Sequence, residues 1–177
     1  MMATTENKLK PADIRQFLEK VVITAGIGRL SQQSSFQDKI LPQVMRDLAL
    51  ISGQKPESRK ARKSIAGFKV REGQVVGLRI TLRRRKMVDF LERLTRIVLP
   101  RVRDFSGLDT RAVDAGGALN IGLREQFVFP EINPEESQYV FSLGINIVPR
   151  RRERDAAIAK YREIGLPLKG LARENKP

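Results

Sequence analysis

The positive charge of this chain is concentrated in one segment, residues 53–86. The whole chain carries a formal net charge of +14 over 177 residues. Residues 55–86 hold twelve lysines and arginines against two acids, so that segment alone has a net charge of +10. The cations are Lys55, Arg59, Lys60, Arg62, Lys63, Lys69, Arg71, Arg79, Arg83, Arg84, Arg85 and Lys86. Such a density of charge requires solvent or a polyanion beside it, and RNA is the commonest polyanion in the cytosol.

Four of these cations fall within five residues: Arg59, Lys60, Arg62 and Lys63. A run of charge is most often a solvated surface. This run is bordered by apolar residues, which favours a structured basic face. Each phosphate that such a face contacts adds about 0.7–0.9 to the slope of log affinity against log salt concentration. We expect these four side chains to contact RNA phosphates.

The residue types that most catalytic and metal sites need are missing. The chain has no histidine and no cysteine, which argues against zinc sites, disulfides and the usual catalytic triads. A metal-dependent nuclease needs a tight cluster of acids, whereas Asp104, Asp109, Asp114 and Glu125 are scattered among arginines. We therefore expect a binding protein, not an enzyme, with no cofactor and no metal.

Alternation in the second half of the basic segment predicts a half-buried strand. Apolar Val76, Leu78, Ile80 and Leu82 alternate with Gly77, Arg79, Thr81 and Arg83. The apolar set should face the core, and Arg79, Thr81 and Arg83 should point outward as candidate RNA contacts. The Thr81 hydroxyl could bond a base edge or a ribose 2′-OH, the group that distinguishes RNA from DNA.

Gly67 and Gly73 allow a protruding loop between the strands of this segment. Phe68 lies in that loop, beside Lys69. Its ring is either a core residue or an exposed aromatic that packs on RNA, and the sequence leaves both interpretations open.

Periodicity along the whole chain predicts an α+β fold: a mostly antiparallel sheet with helices packed on one face. Predicted strands cover 20–25, 57–70, 74–84, 120–129 and 139–149. Predicted helices cover 36–52, 87–99 and 151–163, with a shorter one within 12–20 and a long loop over 101–119. Pro42 either kinks the first long helix or marks its true start, Gly53 ends it, and Pro100 closes the second.

The chain is expected to hold one domain. A short N-terminal segment covers 1–19, an RNA-binding α+β domain covers 20–166, and a flexible basic tail covers 167–177. The polar first residues and the short apolar runs predict neither a signal peptide nor a membrane span, and hence a cytoplasmic protein.

Seven longer motifs occur between residues 51 and 132. They are ISGQKP at 51–56, KARKSIAGFKVREG at 60–73, ITLR at 80–83, FLERL at 90–94, PRVRDFSGL at 100–108, DAGGALN at 114–120 and GLREQFVFPEI at 122–132. In these motifs, their order and their spacing, the chain resembles the bacterial form of the family of large-subunit ribosomal protein five, which binds 5S rRNA. The resemblance extends over roughly residues 20–166.

The resemblance implies a structural protein of the ribosome whose sheet and adjoining loops bind 5S rRNA. The implied 5S rRNA contacts are Thr24, Gln54, Lys55, Arg59, Lys60, Arg62, Lys63, Arg79, Thr81 and Arg83. In the family, an Asn at the end of the first strand contacts RNA. Thr24 stands at that position here, and its hydroxyl cannot copy a two-pronged amide contact.

The resemblance also implies partners beyond 5S rRNA. The loop over 65–73 would reach toward P-site tRNA, with Ser64, Ala66, Gly67, Phe68, Lys69 and Arg71 as its tRNA-facing residues. A surface loosely placed on 103–119 would contact a head protein of the small subunit. The remaining implied partners are 23S rRNA and neighbouring ribosomal proteins. No membrane is expected among the partners.

Two other functions remain open from the residues themselves. A general RNA-binding or RNA-chaperone module would use the same basic face without a fixed site, and so would not prefer 5S rRNA at high salt. A metal-dependent nuclease would cut RNA with magnesium and stop when EDTA is added.

Overall fold

The computed structural model describes residues 11–169. Residues 1–10, which begin the predicted N-terminal segment, and residues 170–177, which form most of the predicted tail, lie outside this range. Within it, Pro167 and Lys169 pair with the backbone of Leu108: Leu108 N–H donates to Pro167 O at 2.7 Å, and Lys169 N–H donates to Leu108 O at 2.8 Å.

Five antiparallel strands form one sheet in the order β2-β3-β1-β5-β4 across the described part of the chain. The strands are β1 (Leu18–Gly26), β2 (Glu57–Lys60), β3 (Val75–Leu82), β4 (Leu119–Leu123) and β5 (Leu143–Pro149). The helices are α1 (Pro11–Phe17), α2 (Leu41–Ser52), α3 (Arg84–Arg93), α4 (Leu99–Arg101) and α5 (Arg154–Glu163). This architecture confirms the predicted α+β class.

One face of the sheet is buried and the other is not, because apolar residues occupy alternate positions of the four longer strands. In β1 the buried set includes Val21, Ile23 and Ala25. These side chains pack against the helices in one continuous core. The predicted placement of the helices on a single face is therefore confirmed.

In β3 the predicted alternation is confirmed from Leu78 to Leu82 and fails at the start of the strand. Val76 was predicted to face the core, but it is half-buried, and its neighbour Val75 is buried instead. The cause is a shift of register in the β2–β3 pairing between Arg59 and Lys60. Such a bulge reverses the direction in which the following side chains point.

Three predicted strands are too long. Pairing of β2 ends at Lys60, and the apolar residues Ile65 and Val70 that suggested a continuing strand pair with each other instead. The strands predicted over 120–129 and 139–149 are confirmed only over β4 and β5. The segment between β4 and β5 is instead held by the buried Gln126 side chain. Its amide N–H donates to Tyr139 O at 2.9 Å, and its amide oxygen accepts from Phe141 N–H at 3.0 Å.

Pro42 and Pro100 both lie in first helical turns that follow a π-helical turn. The π-helical turn Phe36–Ile40 precedes α2, and Pro42 lies in the first turn of the α-helix proper. Gly53 ends α2 in the left-handed conformation, with φ of 65°. The prediction that Pro100 closes the second helix is wrong. A π-helical turn, Leu94–Val98, leads into α4, and Pro100 occupies its first turn, where no amide hydrogen is needed.

Tyr161 fastens α5 to the sheet. Its side chain is fully buried, and its ring lies edge-on to Phe17 with centroids 5.2 Å apart. The single hydroxyl proton is shared between the carbonyl oxygens of Gly117 and Ile147, which lie 2.9 and 3.0 Å from the phenolic oxygen. A side chain at Gly117 would come within 2.9 Å of the Ala157 Cβ, so the glycine permits this close packing.

Replacing Tyr161 by Phe should lower the free energy of unfolding by about 1–3 kcal/mol, because the buried carbonyls of Gly117 and Ile147 lose the one donor that they share. Burial raises the pKa of Tyr161 above its ordinary value of 10.0. The unfolded chain therefore loses the phenolic proton first, and stability should fall as the pH rises above about 10. Urea unfolding at pH 7 and at pH 10–11 measures both effects. Equal stability of the two proteins at both pH values would contradict this role.

Candidate nucleic-acid interface

The face of the sheet turned away from the helices forms a surface that we call the open face. It comprises Glu57 and Arg59 of β2, Gly77, Arg79 and Thr81 of β3, Lys20, Val22, Thr24 and Gly26 of β1, Gly144, Asn146 and Val148 of β5, and Asn120 and Gly122 of β4. These residues are half-buried or exposed. Among the described residues, no helix packs on this side.

Register aligns the polar residues of the open face in rows across the strands. Thr24 lies beside Arg79 on one side and Gly144 on the other. The next row crosses β3, β1, β5 and β4 and contains, in that order, Thr81, Val22, Asn146 and Asn120. Each row therefore offers donors and acceptors on several neighbouring strands, which is the arrangement that contacts to sugar and base edges require.

Glycines leave parts of the open face without side chains. Two cross-strand pairs consist of glycine on both strands, Gly26 with Gly77 and Gly122 with Gly144. Without side chains at these points, another backbone can approach the sheet closely. A Cβ at Gly144 would meet the Thr24 Oγ1 at 2.8 Å, whereas a Cβ at Gly122 would meet no atom within 4 Å.

Three of the predicted RNA contacts lie near one another on or beside the open face. The Thr24 hydroxyl donates to Gly144 O at 3.2 Å. Thr81 lies one row away on β3, beyond the end of β2. Gln54, which follows α2, reaches the same place, because its amide donates to Thr81 O at 3.4 Å. The fold thus brings together side chains that are far apart in the sequence.

The charged residues at the β2 edge are partly paired, which the sequence analysis did not foresee. Glu57 forms an ion pair with Arg59, at 3.3 Å, and accepts a hydrogen bond from Arg79, at 3.2 Å. Exposed pairs of this kind contribute only about 0–1 kcal/mol, so a phosphate can compete for either arginine. Lys60, Arg62 and Lys63 are exposed and have no ion-pair partner within residues 11–169.

Arg83, the last predicted contact of this segment, follows β3 and pairs with Glu19 at 3.5 Å. Lys20 lies 3.2 Å from the same carboxylate. The hydrogen bond and charge of Lys20, followed by the charge of Arg83, hold the pKa of Glu19 below its ordinary value. Lys55, between Gln54 and Pro56, is exposed.

The segment 61–74 projects from the sheet as a short, closed loop, which we call the basic loop. Its backbone pairs at two levels, Ile65 with Val70 and Ala61 with Gln74. Ser64 also closes it, accepting from Glu72 N–H at 2.9 Å. The predicted tRNA-facing residues Ser64, Ala66, Gly67, Phe68, Lys69 and Arg71 are all exposed. Lys69 adopts a left-handed conformation with φ of 51°.

Phe68 is exposed rather than part of the core, with 71% of its surface accessible. Its carbonyl accepts from the Gln32 amide at 3.0 Å, which holds the loop against the segment before α2. Between these two segments lies an open cavity of about 690 Å³, lined by apolar side chains and by Arg29, Arg62 and Lys63. An exposed ring beside cations is suited to stacking on a base.

The strands β4 and β5 also contribute polar residues to the open face, and none of these was among the predicted contacts. Asn120 and Asn146 hydrogen-bond to each other across these strands. Both lie at outward positions of apolar strands. Apolar residues alternate with polar or glycine residues along β4 and β5, as they do along β3. This alternation is the sequence signal that marks Asn120 and Asn146 as outward-facing.

No three acidic side chains are grouped closely enough in the described range to hold a metal ion. In particular, Asp104, Asp109, Asp114 and Glu125 do not converge. None of the helices between residues 11 and 169 is both long and apolar enough to span a membrane.

Comparison with known proteins matches residues 16–71 to the family described as Ribosomal protein L5, and residues 75–168 to the family that describes the C-terminus of the same ribosomal protein. Three similar proteins are each named large ribosomal subunit protein uL5. That of Limosilactobacillus fermentum is 40% identical over 178 residues, 95% of this chain and 97% of the relative. That of Fusobacterium nucleatum is 42% identical over 152 residues, 86% and 81% of the two chains. That of Rubrobacter xylanophilus is 45% identical over 152 residues, 86% and 82%.

Gly144 and Gly122 form a matched pair of sites on the open face. Gly144→Ala should displace the Thr24 hydroxyl from its hydrogen bond and lower the free energy of unfolding by about 1 kcal/mol relative to Gly122→Ala. Denaturant unfolding of both variants measures the difference. Equal stability of the two variants would contradict the close contact between Thr24 and Gly144.

Proposed function

This chain belongs to the ribosomal protein L5 family, and we propose that within the large ribosomal subunit it binds 5S rRNA through the open face. Its relatives are structural proteins of the ribosome, not enzymes. Its work is therefore binding, carried out in the cytoplasm as part of the ribosome.

The observation that carries the proposal is the one-sided sheet. The helices cover one face, while the other presents Thr24, Thr81 and Asn146 in fixed positions on neighbouring strands. Polar groups held by a β-ladder do not need to be ordered on binding, which favours recognition of one folded RNA over many.

Charge supplies affinity beside this face. The basic loop and the β2 edge carry Arg59, Lys60, Arg62 and Lys63, and Lys55 lies near Gln54 at the other end of β2. Phosphate contacts position a protein on RNA without reading sequence. A general RNA chaperone would need only this charge, whereas the rows of fixed donors favour a defined site.

We further propose that the basic loop contacts tRNA in the P site. Support comes from its projection away from the sheet, from the exposed Phe68 ring and from the cations Lys69 and Arg71 beside it. The loop is short and closed by its own hydrogen bonds, so it can present the ring without a large ordering cost.

A third proposed surface, on 103–119, would face a head protein of the small subunit. This segment is anchored rather than loose: the Asp109 carboxylate accepts from Arg111 N–H at 2.8 Å, and Leu108 pairs with Pro167 and Lys169. Asp104, Asp109 and Arg111 are exposed on it. The rest of the surface would contact 23S rRNA and neighbouring ribosomal proteins.

Thr81→Val tests the open face directly. The variant loses a hydroxyl but no charge, so its affinity for 5S rRNA should fall about 5–10-fold, as expected for about 1 kcal/mol or slightly more. The slope of log affinity against log salt concentration should not change. Filter binding or fluorescence anisotropy over a salt series measures both quantities.

Thr95→Val is the matched control. Thr95 lies in the helical layer, and its buried hydroxyl has no hydrogen-bond partner in the described structure. This variant should therefore bind 5S rRNA like the wild type. If Thr81→Val also binds like the wild type, the face around Thr81 is not the RNA surface.

Phe68→Ala tests the basic loop. Because the ring is exposed, the free energy of unfolding and the affinity for 5S rRNA should not change. The affinity of P-site tRNA should fall when large subunits are reconstituted with the variant. Loss of one stacked base corresponds to about 1–3 kcal/mol. Phe68→Tyr, which keeps the ring, should restore tRNA binding. Wild-type tRNA affinity in the Ala variant would rule out a stacking role.

A further inference from the structure

Four arginines from three separate segments line one cleft at the end of the sheet. Arg15 comes from α1, Arg83 and Arg84 from the junction between β3 and α3, and Arg150 from the residue after β5. The cleft has a volume of about 250 Å³, and its other lining residues are Leu18, Glu19 and Met87. We call it the arginine cleft.

The arginine cleft is not electrically balanced. Among residues 11–169, Glu19 is the only acid that lines it, and this carboxylate is already shared by Lys20 and Arg83. Neither Arg15, Arg84 nor Arg150 has an ion-pair partner among residues 11–169. Arg150 instead donates to the Arg15 backbone carbonyl at 3.3 Å, which brings the two segments together. Three unpaired guanidinium groups therefore surround one concave surface.

Arg84 is held in an unfavourable backbone conformation. Its φ is 54°, in the left-handed region that L residues with long side chains rarely adopt. The Arg84 side chain is exposed, so core packing does not explain why a residue other than glycine stands here. Strain of this kind concentrates at binding sites, where the side chain contributes to function rather than to stability.

We propose that the arginine cleft binds the phosphodiester backbone of the RNA that lies on the open face. The cleft lies beside that face: its Glu19 pairs with Lys20 of the open face and with Arg83, the residue after β3. The guanidinium fork matches phosphate oxygens in pairs. This inference rests on the proposed function and extends the RNA footprint to the α1–β1 corner.

The experiment compares two triple variants that lose equal charge. One is Arg15→Gln/Arg84→Gln/Arg150→Gln in the cleft. The other is Lys39→Gln/Arg101→Gln/Arg162→Gln, three exposed cations of the helical layer. With 5S rRNA as the probe, the cleft variant should lose about 2 units of salt slope and on the order of 10–100-fold in affinity. The control should change much less.

Arg84→Gly provides a second test that does not depend on the fold of the triple variant. Glycine adopts the left-handed conformation without strain, so the unfolding midpoint should stay the same or rise. The salt slope for 5S rRNA should still fall by about 0.7–0.9. A lower midpoint with unchanged RNA binding would show that Arg84 is a structural residue and would overturn the proposal.

The outcomes separate this inference from the proposed function. If the wild type prefers 5S rRNA but the two triple variants weaken binding equally, the cleft is not an RNA contact and the open-face proposal stands. If the wild type shows no preference for 5S rRNA, the proposed function fails and the inference fails with it. A cleft variant with an unchanged slope would point to an acidic protein partner and would also overturn the inference.

Discussion

One-sided burial of the sheet is the constraint on which the rest of this structure depends. Alternate apolar residues such as Val21, Ile23 and Ile145 place one face against the helices and remove it from water. The intervening positions are then free of packing demands, so they can hold Thr24, Thr81 and Asn146, and glycines where a close approach is needed. The same alternation that builds the core thus creates a rigid polar surface on its other side.

The charge of the chain is arranged around that surface and not spread evenly. The basic loop lies beyond one edge of the sheet, and the arginine cleft lies at the end of the strands where Lys20 and Arg83 meet. Both regions carry cations without ion-pair partners in the described structure. Long-range attraction can therefore act from two sides, while fixed hydrogen-bonding groups in the middle determine which RNA fits.

The sequence predicted the fold class, the outward position of Arg79 and Thr81, and the role of Gly53 at the end of α2, since each follows from a local pattern. It failed where a hairpin contact, an irregular helical turn or a contact distant in the sequence overrode the local pattern. The strand predicted over 57–70 ends at Lys60 because Ile65 pairs with Val70 instead. The helix continues past Pro100 because a π-helical turn precedes it. Some contacts depend on how strands pair and on which ends of helices and strands meet, and no single segment of sequence specifies either. These are the Glu57 pairs, the Asn120–Asn146 contact and the arginine cleft.

The central claim is that the open face recognises one folded RNA rather than RNA in general. The most direct test is a competition titration, in which labelled 5S rRNA is bound to this protein over a salt series with excess tRNA present. We expect 5S rRNA to remain bound in the presence of excess tRNA, even at high salt. The slope of its log affinity against log salt concentration should be steep but finite. Equal competition by tRNA at every salt concentration would show that the charge binds RNA without a defined site, and would contradict the account.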